Sequence, residues 1–170
     1  MNYGGLGQVI SQEIMHAYDA AGMNTNYLNQ RVDLRGSPTM KAYAEKVTCL
    51  RSSYEKMDST SRARMIQDVS DSEAIVDFGG IQLAYAAYRR LSEDERRTCI
   101  PGVAPEQAFF ISHCLKWCTQ AKELHNLPRE NYWRSRTRCI VPLQNMPEFA
   151  DAFSCNQGDF MSPKSRCQFW

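Results

Sequence analysis

No part of this 170-residue chain is apolar over the roughly 18 to 20 residues that a bilayer-spanning helix needs, so the sequence offers no transmembrane candidate. Net charge is scarce too: 20 basic side chains face 19 acidic ones, for a formal charge of +1. Nucleic acids and anionic membranes are bound through a concentrated basic surface, which this balance does not supply. The one basic run, Arg129 to Arg138, interleaves Glu130, Tyr132 and Trp133, as a solvated loop does. No nucleic-acid partner is expected. The opening Met1-Asn2-Tyr3-Gly4-Gly5 lacks a basic start followed by an apolar core, and nothing in the chain as written directs it out of the cytosol. There is no internal repeat and no low-complexity tract.

Cysteine, by contrast, is abundant. Seven residues (Cys49, Cys99, Cys114, Cys118, Cys139, Cys155 and Cys167) give a density more usual in oxidised compartments, and the odd count leaves at least one thiol unpaired within the chain. Together with the absent leader this predicts a piece of a secreted protein or ectodomain whose leader and some disulfide partners lie elsewhere. With 43% hydrophobic and 23% charged residues, the chain has a globular composition, and its length suits one domain spanning 1–170.

Patterning predicts a mostly helical fold with little strand. Gly4-Gly5-Leu6-Gly7 reads as a flexible entry to an amphipathic helix, Val9 to Tyr18, on which Val9, Ile10, Glu13, His16 and Ala17 share a broad face; Gly22 ends it. An Asn-rich loop follows. Ser37-Pro38 marks a helix start, with Met40, Tyr43, Val47 and Tyr54 at helical spacing and Cys49 within. A third helix runs from Val69 to Leu91, and Gly79-Gly80 is expected to bend or loosen it. Ser92-Glu93-Asp94-Glu95 is a capping box for a short helix, and Pro105 opens another that carries Phe110, Cys114, Trp117 and Cys118. Cys139-Ile140-Val141 reads as a short extended segment, and Met146-Pro147-Glu148 starts a last helix through Phe153.

The candidate chemistry begins with the pentad Gln12-Glu13-Ile14-Met15-His16, one letter from the zinc-peptidase pattern H-E-x-x-H. In that pattern two imidazoles at i and i+4 hold zinc from one helix face, while the Glu activates the metal-bound water. Any amphipathic helix can carry Glu and His three apart, so the pentad alone fits a solvated face as well. Downstream, Glu73 and Asp77 lie one turn apart on the third helix, as suits a carboxylate ligand with a supporting carboxylate behind it; an exposed helix face gives the same spacing. His113 and His125 have no ligand spacing with either pair. Cys114 and Cys118 are four apart, unlike a C-x-x-C motif, and Cys114 is read as a structural thiol.

Both pieces, in this order, resemble the C-terminal catalytic portion of the neprilysin and endothelin-converting-enzyme family of zinc metallopeptidases. The resemblance starts at Asn2-Tyr3-Gly4-Gly5-Leu6-Gly7 and passes through Glu73 to Gly80, Phe109-Phe110 and Trp117-Cys118. It continues in Leu143-Gln144-Asn145, Glu148-Phe149, Ala152-Phe153-x-Cys155 and Met161-x-Pro163-x-x-x-Cys167-x-x-Trp170. It implies a thermolysin-like zincin subdomain of the neprilysin type that lacks the family's upstream part. It implies zinc, with His16 and Glu73 as ligands, Glu13 as general base and Asp77 as the carboxylate orienting the first histidine. It further implies Arg138 as a contact to substrate backbone, Val9 and Trp117 lining an apolar substrate pocket, and pairing of Cys49 with Cys167. Cys118 and Cys155 match positions whose partners lie upstream; they are free, joined to another chain, or bonded together. Cys99, Cys114 and Cys139 have no counterpart.

The departures bear on the mechanism. Gln12 replaces the first histidine, and an amide oxygen is a poor zinc donor, which leaves two good ligands where catalytic zinc has three. Zinc binding is therefore in doubt. Tyr132 replaces the histidine that stabilises the oxyanion, with Glu130 where its supporting aspartate is expected; loss of such a donor costs roughly 100- to 1000-fold in turnover. Gln8 and Lys116 add polarity beside Val9 and Trp117. Expected functions are thus an extracellular, noncatalytic homologue that binds a peptide or protein; a zinc metalloendopeptidase with residual activity; or a structural fragment of a longer ectoenzyme that needs an N-terminal partner or another chain, joined through Cys118 or Cys155.

Overall fold

The computed structural model describes residues 1–58, 68–98, 100–118 and 133–169, so Cys99, His125, Glu130, Tyr132 and Trp170 lie outside the described residues. Its helices are α1 (Gln8–Met15), α2 (Ala20–Met23), α3 (Pro38–Met57), α4 (Asp68–Arg89), α5 (Glu93–Arg96), α6 (Pro105–Leu115), α7 (Ser135–Gln144) and α8 (Pro147–Ala152). Among the described residues the only β-type pairing is an isolated antiparallel bridge between Thr25 and Arg31. The fold is mostly helical, as the patterning predicts.

Several starts follow local chemistry. The Ser37 hydroxyl accepts from the Met40 amide at 3.2 Å and Pro38 sits at the first turn of α3. At α5 the capping box of Ser92 and Glu95 is complete. Tyr54 and Leu50 of α3, Ile75, Phe78 and Ile81 of α4, Phe109 and Phe110 of α6 and Val141 of α7 form the centre of one core. Rings extend it: Tyr85 lies 5.2 Å from both Phe109 and Phe110, and Phe110 lies 5.5 Å from Phe149 of α8.

Three local expectations are corrected. Gly4 to Gly7 is no flexible entry: Tyr3–Gly7 forms a π-helical turn that runs straight into α1. Gly4 is there for closeness, since a Cβ would collide with the Phe109 carbonyl and Ser112 hydroxyl of α6. The zinc-type helix also ends early, passing into a 3-10 turn at His16–Tyr18 before Asp19 caps α2. Cys139-Ile140-Val141 is not extended but lies in the middle of α7, where tertiary packing of buried Arg138, Val141 and Leu143 overrides β-branched preference.

The face of α1 is the larger surprise. Its buried residues are Gln8, Ser11, Gln12 and Met15, while Ile10 and Ile14 are 54% and 53% exposed. The polar side packs inward against α4. Gly79-Gly80, expected to loosen α4, lies within one continuous helix and serves as the contact point. A Cβ on Gly80 would sit 2.8 Å from the Gln12 amide nitrogen and 2.9 Å from its Cα.

Cystines fasten the periphery. Cys49 of α3 joins Cys167 of the tail with Cα atoms 5.8 Å apart, closing a separation of 118 residues, for which chain entropy gives about 4–5 kcal/mol. Cys114 is not a thiol, as expected above, but is bonded to Cys139, Cα atoms 5.0 Å apart, tying α6 to α7. Cys118 and Cys155 are free, the former exposed.

Because Gly80 leaves no room against the α1 backbone, Gly80→Ala is expected to destabilise the fold by about 2–3 kcal/mol, readable as a lower denaturant midpoint at unchanged slope. An unchanged midpoint would mean that α1 and α4 are not in this contact.

Candidate functional site

Close packing of α1 on α4 sets the site. It lays the amide of Gln12 over Glu73, with Nε2 donating to Oε2 at 3.3 Å. An ionised carboxylate only accepts, so the face Gln12 turns toward it is its NH2 group. One turn earlier, Gln8 Nε2 donates to the Asp77 backbone carbonyl at 3.4 Å. His16 stands at the C-terminal end of α1, its Nδ1 2.8 Å from Asp19 Oδ2 and its Nε2 3.8 Å from Glu73 Oε1. Asp19 thereby fixes the ring with Nε2 toward Glu73. Its other partners are the Ala21 and Gly22 amides, at 2.9 and 2.8 Å, and the Ser72 hydroxyl. Burial pushes the Asp19 carboxyl up, but the hydrogen bonds from His16, Ser72 and Gly22 outweigh it and hold the carboxyl below its ordinary value of 3.8.

Glu73 and Asp77 project from the same face of α4, and Arg138 of α7 reaches across to both. Its Nε donates to Asp77 Oδ2 at 2.6 Å, and its Nη2 donates to Asp77 Oδ1 at 2.9 Å and to Glu73 Oε2 at 3.0 Å. Asp77 is wholly buried, and burial raises its carboxyl even though Arg138 pulls it down. Burial works against the guanidinium charge, yet the two carboxylates outweigh it and its pKa rises. The guanidinium also lies over the Trp117 ring, 4.3 Å from its centroid.

A second polar group adjoins it. The Lys116 ammonium donates to Gln8 Oε1 and stands 3.1 Å from His113 Nδ1. Burial, with Arg138 adding to it and Asp77 opposing, pushes Lys116 down to about 7; burial and the Lys116 charge push His113 down to about 3.

Of the residues singled out by sequence, Gln12, His16, Glu73, Asp77, Arg138 and Trp117 come together. Glu13 and Val9 are exposed, on the outward side of α1. The oxyanion position, Tyr132, falls outside the described residues. Asp19 was missed, although its signal is local: an Asp three residues after His16, directly before Ala20-Ala21-Gly22, is a helix N-cap pattern. Lys116 and Gln8 meet across 108 residues, which no local pattern reveals.

This inward face of α1, opposed by paired carboxylates on α4, is the layout of a zinc-metallopeptidase helix pair. Comparison with known proteins places it. The model of peptidase family M13 matches residues 1–169, and the chain belongs to that family. It is 29% identical over 180 residues to Neprilysin-21 of Caenorhabditis elegans, and 30% identical over 178 residues to neprilysin of Mus musculus, with all of this chain aligned to each. It spans 23% and 24% of those proteins' lengths. Among solved structures, the Haemonchus galactose-containing glycoprotein complex superposes with a TM-score of 0.83 at 26% identity, over 99% of this chain and 30% of that one. The Mycobacterium tuberculosis zinc metalloprotease Zmp1 gives a TM-score of 0.78 at 23% identity, over 99% of this chain and 27% of that one, a likeness of fold alone.

Family M13 is zinc-dependent, so the donor set can be tested against zinc. His16 Nε2 and Glu73 Oε1, 3.8 Å apart, stand near the roughly 3.4 Å separation of two ligands in one tetrahedral shell. The third position is weak, because Gln12 offers an amide, here turned to donate to Glu73, and an amide oxygen is a poor zinc donor beside imidazole. Glu73 Oε2 already accepts from Gln12 and Arg138. Among the described residues no three His, Cys, Asp or Glu side chains are placed to share a metal ion. These residues do not fit a catalytic zinc.

Asp19→Ala removes an N-cap and the acceptor for His16 and Ser72, and is expected to cost about 2 kcal/mol in denaturant unfolding. Asp19→Asn separates charge from capping. Since the folded carboxyl titrates below 3.8, its contribution is present above that pH and lost as pH falls through the folded value, so the Asn variant should lack this part of the parent's acid destabilisation. Identical acid profiles would exclude the assigned His16–Asp19 charge pairing.

Proposed function

We propose that this chain is a noncatalytic member of the neprilysin-type metallopeptidases, one that binds peptides in an extracellular setting without hydrolysing them. The observation that carries this reading is the Gln12 amide, 3.3 Å from Glu73 and donating to it where hydrolysis needs a third metal ligand. Two ordinary donors do not hold a zinc ion tightly enough, or in the right shell, to activate water. Glu13, the family's general base by resemblance, is exposed and then has no metal-bound water to act on.

Peptide binding is supported by what is kept. The exposed Val9 of α1, the half-buried Trp117 and Arg138 are where the resemblance puts substrate contacts. Lys116 beside Trp117 gives this wall a polar group, an amine that burial pushes down to about 7. Two cystines support an oxidising compartment. No helix among the described residues is long and apolar enough to cross a membrane.

Purified protein is expected to contain far less than one zinc per chain by elemental analysis and to leave peptide substrates intact when zinc is added. One zinc per chain that survives mild chelation, with hydrolysis of a peptide, would reverse this reading.

A further inference from the structure

Between the first residues of the chain, the C-terminal end of α4, α5 and the start of α6 lies a cavity of about 420 Å³, within the size range of small-molecule sites. Tyr88, which lines it, is about 16 Å along α4 from Asp77, and the cavity shares no side chain with the zinc-type site. Its walls are mostly apolar. Tyr88 stands 6.2 Å from Tyr3 and 5.2 Å from Phe109, ring to ring, and Leu91 and Ile100 complete the lining.

Two buried polar groups interrupt these walls. Tyr88 is only 6% exposed, and its hydroxyl has no hydrogen-bond partner among the described residues. The same holds for Nε of Arg96, whose guanidinium carbon lies 5.9 Å from the Tyr88 ring and whose Nη1 already donates to Glu106 at 3.1 Å. Buried polar groups are nearly always paired, so each of these calls for a partner from outside the chain. Both are donors: burial, with the Glu106 charge adding to it, raises the Tyr88 pKa so that the phenol keeps its proton, and a guanidinium only donates.

We infer that this cavity binds a small, uncharged, apolar molecule carrying a carbonyl-type oxygen, which accepts from the Tyr88 hydroxyl and Arg96 Nε. A plain hydrocarbon would fit the walls but leave both donors buried and unpaired. A carboxylate would pair with them, yet Arg96 and Arg97 are already matched by Glu106 and Asp94, and Glu95 lines the same cavity. An anion would therefore lose its hydration without meeting an unmatched cation.

The test uses the whole chain and three probes of similar shape: acetophenone, which has the ketone oxygen, ethylbenzene, which lacks it, and benzoate, which adds a charge. Affinities are read by NMR titration with assigned signals. Acetophenone should shift the signals of Tyr88, Ala108 and Phe109 and bind about 3- to 10-fold tighter than ethylbenzene, with benzoate weaker than acetophenone. Tyr88→Phe keeps the ring and removes one donor, so it should weaken acetophenone about 3- to 10-fold and leave ethylbenzene unchanged. No shift near Tyr88 with any probe overturns the inference, as does ethylbenzene or benzoate binding as tightly as acetophenone. Unaltered acetophenone affinity in a folded Tyr88→Phe variant overturns it too. Should that variant not fold, the ranking of the three probes on the wild-type chain decides.

Discussion

The contact between Arg138 and the two α4 carboxylates is the constraint around which the rest is arranged. Asp77 has no exposed surface, and a lone buried carboxylate would either take a proton or destabilise the fold. The guanidinium answers this through a bidentate pair, and the geometry requires α7 to approach α4 at that turn. Extending the run Cys139 to Val141 as a strand would move Arg138 out of register, so its helical state follows from the pair as much as from Val141 and Leu143 packing. The Cys114–Cys139 bond lies next to Arg138 in sequence and ties the same helix to α6.

From this follows the orientation of α1. A helix whose apolar residues face outward and whose glutamines face inward looks inverted by hydrophobic patterning alone. It is consistent once its neighbour carries buried carboxylates, because Gln8 and Gln12 can donate to α4 where leucine or isoleucine would leave Glu73 less satisfied. Gly80 then matters as a close-approach position. It brings the α1 backbone near enough for a short amide side chain to reach across.

How much of this was legible in the sequence depends on the distance over which each signal acts. Ser37 and Pro38, the Ser92–Glu95 box and the pair Glu73 and Asp77 act within one turn, and the helices they mark were read correctly. Asp19 is equally local, a cap directly before Ala20-Ala21-Gly22, but the helix it starts is only four residues long and has no apolar periodicity to mark it. Arg138 was picked out by resemblance as a substrate contact, but its partners are 61 and 65 residues away and no periodicity announces them. Gly79-Gly80 misled for a different reason: helix propensity describes an isolated segment, and tight packing against Gln12 offsets its cost here.

Gln12 and Arg138 meet on the same oxygen of Glu73. With histidine at position 12 and a metal bound, the two carboxylates would share their charge with zinc, and folding would gain from the ion. With glutamine, Glu73 Oε2 accepts from Gln12 and Arg138, Asp77 accepts from Arg138, and His16 is turned toward Asp19. Trp117 stacks beneath the guanidinium, so α4, α7 and the end of α6 are held together at this point by side chains of the chain itself.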